Sequence, residues 1–326
     1  MTGTWAITGG CGFVGRNVIR YLLANGVQPG NIRVFDNLSV GKVADLERVT
    51  GHVDLNGGWA GNAVAVHKGD IRHRDETSAA LLGSDHIVHL AAATGVAPSV
   101  ADPWFDCEQN VIGTLHVLEA ARHGGAKSVV FASSGAPLGM REPPIHEGLA
   151  PNPASPYGAS KLAGEGYCQA YANCFGVKTV ALRFGNIYGP FSTHKESVVA
   201  NFIGRALRGE PLQIYGDGSA TRDFIYSDDL SRAVYMASTH DVPKGSIFQI
   251  ATFRETTVSE LTEALVAILH KHGVTGFSVE NTAPRQGDVA RNFADITLAR
   301  TQLGWTPQMS LADGLEATVT WFLENR

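Results

Sequence analysis

Residues 5–15 read WAITGGCGFVG: a short apolar run, glycines at positions 9, 12 and 15, and the start of an apolar helical stripe. A buried strand that turns straight into a helix through glycines is tightly constrained. The turn must be sharp, the backbone must come close to whatever binds there, and the helix presents free N–H groups and the positive end of its dipole. That geometry suits the diphosphate of a dinucleotide and commits the chain to a β–α unit on a parallel sheet. Gly9, Gly12, Phe13, Val14 and Gly15 are thus the first candidates for cofactor contact.

The same rhythm continues. Short, almost uniformly apolar runs occur at 32–35, 63–66, 86–90, 128–132 and 179–183, with helical stretches at 15–24, 106–123 and 156–174 among them. Strands that are apolar on both faces, separated by helices, predict an α/β chain with a Rossmann-type, doubly wound parallel sheet. After residue 183 glycines and prolines multiply, and helical pieces at 197–208, 227–238, 258–272 and 311–325 are separated by loops. We therefore expect a cofactor-binding domain over 1–182 and a smaller, interleaved α/β substrate lobe over 183–326, with segments around 224–250 returning to the first domain. Residues 50–62, TGHVDLNGGWAGN, read as a surface excursion.

Composition excludes several classes. The net charge is −5, so neither a nucleic acid nor an anionic membrane is the expected partner. No apolar run approaches the roughly 18 residues of a membrane span. No charged-then-apolar leader precedes the first strand, so no secretory signal is expected. The four cysteines, Cys11, Cys107, Cys168 and Cys174, lack metal or disulfide-scaffold spacing and read as reduced, buried thiols of a cytoplasmic protein. Of the twelve histidines, His86 and His89 fall on opposite faces of a strand, and His270 and His272 flank a lysine near a helix end. No metal site is expected.

The second strand ends at Asp36, 21 residues beyond Gly15. A carboxylate there accepts both ribose hydroxyls and repels a 2′-phosphate, and the following Asn37-Leu38-Ser39 offers no arginine, so the pattern predicts NAD rather than NADP. Asp70 follows the next strand and fits either an adenine contact or a capping role. Residues 155–161 read SPYGASK and place Tyr157 and Lys161 one helical turn apart. An ammonium near a phenol, with a nicotinamide cation nearby, lowers the phenol from about 10 towards neutrality and makes it a usable acid/base.

With these motifs in place, the chain resembles the extended short-chain dehydrogenases/reductases, in particular their NAD-dependent nucleotide-sugar epimerases and dehydratases. The resemblance also rests on HLAA (89–92), EQNVIGT (108–114), LRFGNIYGP (182–190), IYGDGSATRDFIYSDDL (214–230) and LGWTP (303–307). It implies Ser134, Tyr157 and Lys161 as the catalytic set. It implies Asn37, Asp70, Ile71, Leu90, Ala91, Ala92, Asn110, Ser133 and Phe184 as further cofactor contacts. For a nucleotide-diphosphate sugar it implies Asn186, Tyr215, Arg222, Arg285 and Asn292. Two arginines suit a diphosphate because guanidinium groups pair with phosphate oxygens in a fork. His194 and Lys195 fall where the family's substrate loop lies and can meet an anion or only solvent.

Residues 131–139, FASSGAPLG, then narrow the chemistry. Dehydratases of the family place an Asp and a Glu directly after the catalytic Ser/Thr, decarboxylases keep the Glu, and 3,5-epimerases need a cysteine nearby. Here those positions are Gly135 and Ala136. What survives needs only hydride transfer, a tyrosine and a serine, which is 4-epimerisation of a nucleotide sugar, UDP-glucose/UDP-galactose first. A UDP-N-acetylhexosamine or UDP-glucuronate 4-epimerase, a CDP-sugar 2-epimerase and a non-catalytic NAD sensor are the alternatives. Leu138 stands where the family usually has a tyrosine, which predicts an altered pocket rim. The resemblance further implies a homodimer formed through helices 106–123 and 156–174.

Overall fold

A computed structural model of the chain describes residues 3–284 and 289–325. The elements run β1 (Trp5–Thr8), α1 (Phe13–Ala24), β2 (Ile32–Asp36), α2 (Val43–Thr50), β3 (Val53–Leu55), β4 (Val64–Lys68), α3 (Arg74–Leu81), β5 (His86–His89), α4 (Val96–Ala101), α5 (Pro103–Cys107), α6 (Gly113–Gly124), β6 (Ser128–Ser134) and α7 (Pro156–Phe175). They continue with β7 (Thr179–Phe184), β8 (Asn186–Tyr188), α8 (Val198–Leu207), β9 (Leu212–Tyr215), β10 (Thr221–Arg222), β11 (Phe224–Tyr226), α9 (Ser227–Thr239), β12 (Ser246–Ile250), β13 (Thr256–Thr257), α10 (Val258–Lys271), β14 (Val279–Thr282) and α11 (Leu311–Glu324).

Among the described residues eight strands form one parallel sheet in the order β3-β4-β2-β1-β5-β6-β7-β12. The strand period of two divides its side chains between two cores. Trp5, Ile7, Val34, Val88 and Val130 pack on one face with Val18 and Leu22 of α1 and Leu230 and Val234 of α9. Ala6, Phe35, Ile87, Val129 and Phe131 pack on the other with Leu81, Val117 and Tyr171 from α3, α6 and α7. Helices on both faces, and a sheet whose order reverses beside β1, make this a Rossmann-type fold with its crevice at the carboxyl ends of β1 and β5. A third core joins α8, α10 and α11 through Phe202, Leu265 and Leu315.

Three expectations are corrected. Stretch 106–123 is helical throughout but not α throughout: a π turn over Glu108–Ile112 joins α5 to α6. Residues 53–55, expected in a surface excursion, add β3 to the sheet edge. Trp59, in the same stretch, packs its ring 4.0 Å from the Arg33 guanidinium of β2, and its Nε1–H donates to Leu82 O. Of the four thiols only Cys11 and Cys168 are buried, and Cys107 and Cys174 are exposed.

His86 and His89 do lie on opposite faces, with rings tilted against Trp5 and Phe131 respectively. Thr114 Oγ1 donates to Asn110 O, so His89 Nε2–H donates to Thr114 while its Nδ1 accepts from Thr8 Oγ1. That ring is neutral by construction. Burial pushes His89 down to about 3 and His86 to about 4 from 6.5. Both are depressed in the folded state, so the unfolded chain takes up protons first as pH falls. Stability is expected to drop between about pH 6.5 and pH 4. Denaturant titrations at pH 7 and pH 5 check this, and equal unfolding free energies would contradict it.

Candidate active site

Two clefts open at the carboxyl ends of the sheet. The first, about 170 Å³, runs over the glycine turn and Asp36. Gly9 has φ of 71°, and a Cβ there would lie 2.8 Å from Ala91 N. Gly15 lets α1 sit against the turn, since a Cβ would be 2.5 Å from Gly10 Cα. Gly12 is different. It caps α1 with no side-chain bond and no acid in the first turn, and its added Cβ would meet only Gly9 O at 3.2 Å. A side chain at Gly12 would enter the groove rather than the fold. The helix N-terminus therefore faces a space shaped for an anion.

Asp36 is buried on this groove. Its Oδ2 accepts from Cys11 N at 3.0 Å and its Oδ1 from Leu38 N at 2.8 Å. Burial raises its pKa, with those two bonds opposing. Each oxygen keeps a lone pair for a ribose diol. Gly9, Gly12, Phe13, Val14, Gly15, Asn37, Ile71, Leu90, Ala91 and Ala92 line the groove as expected. Gln109, which the sequence reading missed, lines it too, and its buried Oε1 has no hydrogen-bond partner among the described residues. These features fit NAD. Gly12→Val is expected to abolish NAD binding by calorimetry while leaving the melting temperature within a few degrees. Wild-type affinity in that variant would remove the groove from the account.

Three expected cofactor residues already have partners within the protein. Asp70 lies between Gly69 and Ile71 of the groove wall, and its carboxylate takes both Arg72 Nε (3.1 Å) and Nη2 (3.0 Å) and Asn37 Nδ2 (3.1 Å). Burial opposes its ionisation, but the Arg72 bonds prevail and hold it at about 2. Asn110 lies behind the groove: its carboxamide clamps Ala93 N and O and also donates to Asp106 and Ser160. Ser133 lines the second cleft, but its hydroxyl donates to Glu165 at 2.6 Å, so its donor is already committed.

The second cleft, about 260 Å³, shares Phe13, Val14, Leu90 and Ala92 with the first and ends on Ser134, Tyr157, Lys161, Phe184 and Gly185. The chain builds it locally. Ser155 caps α7 by accepting from Gly158 N, and Pro156 occupies the first turn. Gly158 is needed because a Cβ would lie 2.6 Å from Ala136 O, so α7 packs directly on the 136–138 turn. Tyr157 and Ser134 hydrogen-bond, and Ser134 Oγ also accepts from Ala136 N at 3.2 Å. Lys161 Nζ donates to Ala132 O at 2.9 Å and lies 5.9 Å from the Tyr157 ring centre.

The sequence reading expects the ammonium to lower the phenol. In the protein alone burial wins: Tyr157 stands above its ordinary value, with the Ser134 bond pulling down and Asp106 pushing up. Burial lowers Lys161 to about 8. Leu138 is also corrected. It is fully buried in the core rather than on the pocket rim.

A third cleft of about 410 Å³ brings together Asn186, Tyr215 and Arg222, with Asn201 and Arg205 from α8. Arg222 Nη1 donates to Thr221 O and Val289 O, both at 2.7 Å. Arg285 lies outside the described residues. Asn292 does not line these clefts, and its N–H donates to Thr221 Oγ1 at 3.3 Å. Asp223 was quoted in the sequence only as part of a motif. It gathers Thr252 N (2.7 Å), Phe253 N (3.0 Å) and Ala294 N (3.3 Å) behind Gly185. Among the described residues no cluster of His, Cys, Asp and Glu could hold a metal, and no helix is long and apolar enough to cross a membrane.

A glycine-turn groove that runs into a Ser–Tyr–Lys pocket on a doubly wound sheet defines a dinucleotide-dependent enzyme. The chain belongs to the NAD dependent epimerase/dehydratase family, whose profile matches residues 5–251. It is 36% identical over 321 residues to a UDP-glucose 4-epimerase of Mycolicibacterium smegmatis, covering 97% of each chain. It is 31% identical over 327 residues to a dTDP-glucose 4,6-dehydratase of Streptomyces antibioticus, covering 98% of this chain and 92% of that one. The crystal structure of a Thermotoga maritima UDP-glucose 4-epimerase with UDP-glucose superposes with a TM-score of 0.86 at 36% identity, covering 99% of each chain.

Proposed function

We propose that this protein is an NAD-dependent 4-epimerase of a UDP-hexose, interconverting UDP-glucose and UDP-galactose. Overall similarity does not separate epimerases from dehydratases, since relatives of both kinds match most of the chain. The observation that carries the reading is chemical: among the described residues no Asp, Glu, Cys or His lines the cleft that holds Ser134, Tyr157 and Lys161. Eliminating the 6-hydroxyl needs an acid there and a base for the C5 proton. With a phenol, serine and threonine hydroxyls and ammonium groups, the cleft is equipped for proton transfer at a single hydroxyl of the sugar.

In this reading Tyr157 takes the proton of the sugar C4 hydroxyl, with Ser134 hydrogen-bonding the same oxygen, and later returns it. Lys161 stabilises the phenolate and holds the nicotinamide ribose. Bound NAD supplies the hydride acceptor and donor, so the sugar passes through a 4-keto state. The keto sugar must turn over before hydride returns to its other face, and the cleft's small Gly185 and apolar Ile187 are compatible with that rotation. Asn186, Tyr215, Arg222 and Arg285 would hold the nucleotide diphosphate while the sugar moves. A cytoplasmic homodimer is the setting this reading implies, supported by exposed Ile112 in the π turn before α6 and exposed Tyr167 and Phe175 on α7.

The test is to incubate the purified protein, without added NAD, with UDP-glucose, UDP-galactose, UDP-N-acetylglucosamine and UDP-glucuronate in turn, and to read products by NMR. Interconversion of UDP-glucose and UDP-galactose is expected. Turnover of only the N-acetyl or uronate sugar would move the specificity. No change with any sugar, even after NAD is supplied, would end the epimerase reading for UDP sugars.

A further inference from the structure

The cofactor groove holds an unusual imbalance of charge. NAD brings a diphosphate with two negative charges to the glycine turn. The turn offers N–H groups and the dipole of α1, but among the described residues no arginine lines the groove and Lys195 is its one lysine. Lys195 does not belong to the glycine-turn segment. It comes from the loop between β8 and α8, across the crevice. It lines both the cofactor groove and the Ser134–Tyr157–Lys161 cleft, at the wall the two share.

The loop is fastened in place. Arg16 Nη2 donates to Phe191 O at 2.9 Å and Asn17 Nδ2 to Pro190 O at 3.0 Å, both from the N-terminal half of α1. Ser192 Oγ donates to Gly189 O at 2.7 Å, and Lys195 N closes a turn on Ser192 O at 2.9 Å. These bonds hold residues 190–195 against the same helix whose N-terminus faces the groove.

The ammonium itself is only partly exposed and has no hydrogen-bond or ion-pair partner among the described residues. Burial alone acts on it, and lowers its pKa. The acid on the groove wall, Asp36, bonds to Cys11 and Leu38 instead. A half-buried, uncompensated cation is costly unless something else supplies the anion. The neighbouring helix N-terminus calls for an anion at the same wall. A diphosphate answers both.

We propose that Lys195 pairs with the diphosphate of bound NAD and thereby fastens the 190–195 loop over the cofactor, slowing its release between turnovers. The inference rests on the family's use of NAD and on this groove, not on which sugar is turned over. A carboxylate on the sugar is the other anion that could reach this wall. The diphosphate is favoured because Lys195 shares the groove with Gly12 and because every turnover needs the cofactor.

The experiment compares wild type with Lys195→Gln and Lys195→Arg, each stripped of nucleotide, by calorimetry with NAD, ADP-ribose and adenosine. Lys195→Gln is expected to weaken NAD and ADP-ribose by roughly 10- to 100-fold, the range of a charge-assisted phosphate contact, and to leave adenosine within about twofold. Lys195→Arg should recover most of the loss, which separates charge from folding. Unchanged affinity of Lys195→Gln for NAD and ADP-ribose would overturn the proposal. If that variant instead lost affinity for UDP-glucuronate while keeping UDP-glucose, the lysine would belong to the sugar. Wild-type NAD binding with no sugar turned over would sink the epimerase reading and leave this inference standing.

Discussion

Tyr157→Phe is expected to lower kcat by about 10²- to 10⁴-fold, the usual worth of a positioned acid/base, with little change in NAD affinity. The substitution removes one oxygen. The ring, its place in the first turn of α7 and the Gly158 contact with the 136–138 turn all remain. Lys161 keeps its bond to Ala132 O. What disappears is the hydroxyl that Ser134 bonds and, with it, the group that can carry a proton to the sugar. Steady-state kinetics alongside NAD calorimetry check this. A variant that keeps turnover would show that another group does the proton transfer, with the Ser134 hydroxyl, which bonds Tyr157, the first to test.

The second large effect concerns stability. Tyr157, Lys161 and Glu165 lie four residues apart on one stripe of α7. Glu165 takes Arg183 Nε and Nη2 at 2.7 Å each and the Ser133 hydroxyl at 2.6 Å. Arg183 and Ser133 face each other across the β6–β7 pair. One buried carboxylate thus ties α7 to the two strands directly behind the catalytic residues. Glu165→Ala would leave the Arg183 charge buried and unpaired, with its Nη1 already lacking a partner. The expected cost is about 3–5 kcal/mol, read from denaturant unfolding. The double substitution Glu165→Leu with Arg183→Met should recover much of it, because removing both charges removes the desolvation problem. A loss under about 1 kcal/mol would mean the pair is not holding the sheet to α7.

Much of this architecture is legible in the sequence, for physical reasons. Strands such as 32–36 and 128–134 are buried on both faces, so apolar runs mark them. The Ser155 cap with Pro156 marks the start of α7 to the residue. The glycine turn and Asp36 are local constellations, and both line the groove. What the sequence hides is what depends on distant partners. Asp70 looks the same whether it meets a cofactor or Arg72, and only the fold shows Arg72 taking it. Asn110 sits in a π turn, which no simple periodicity announces. Leu138 occupies a pocket-rim position by resemblance, yet the short helical turn at Ala136–Leu138 carries it into the core. The Glu165 stripe had a signal, an acid four residues past Lys161, but its meaning required Arg183 from the next strand.

The most direct test of the central claim follows the hydrogen at C4. The protein would be given UDP-glucose carrying deuterium at C4, in ordinary water, and the product read by NMR and mass spectrometry. Hydride transfer to and from NAD held in one cleft predicts UDP-galactose with the deuterium retained at C4 and no solvent hydrogen elsewhere on the ring. Loss of the C4 label to water, or a 4-keto-6-deoxy product, would contradict it.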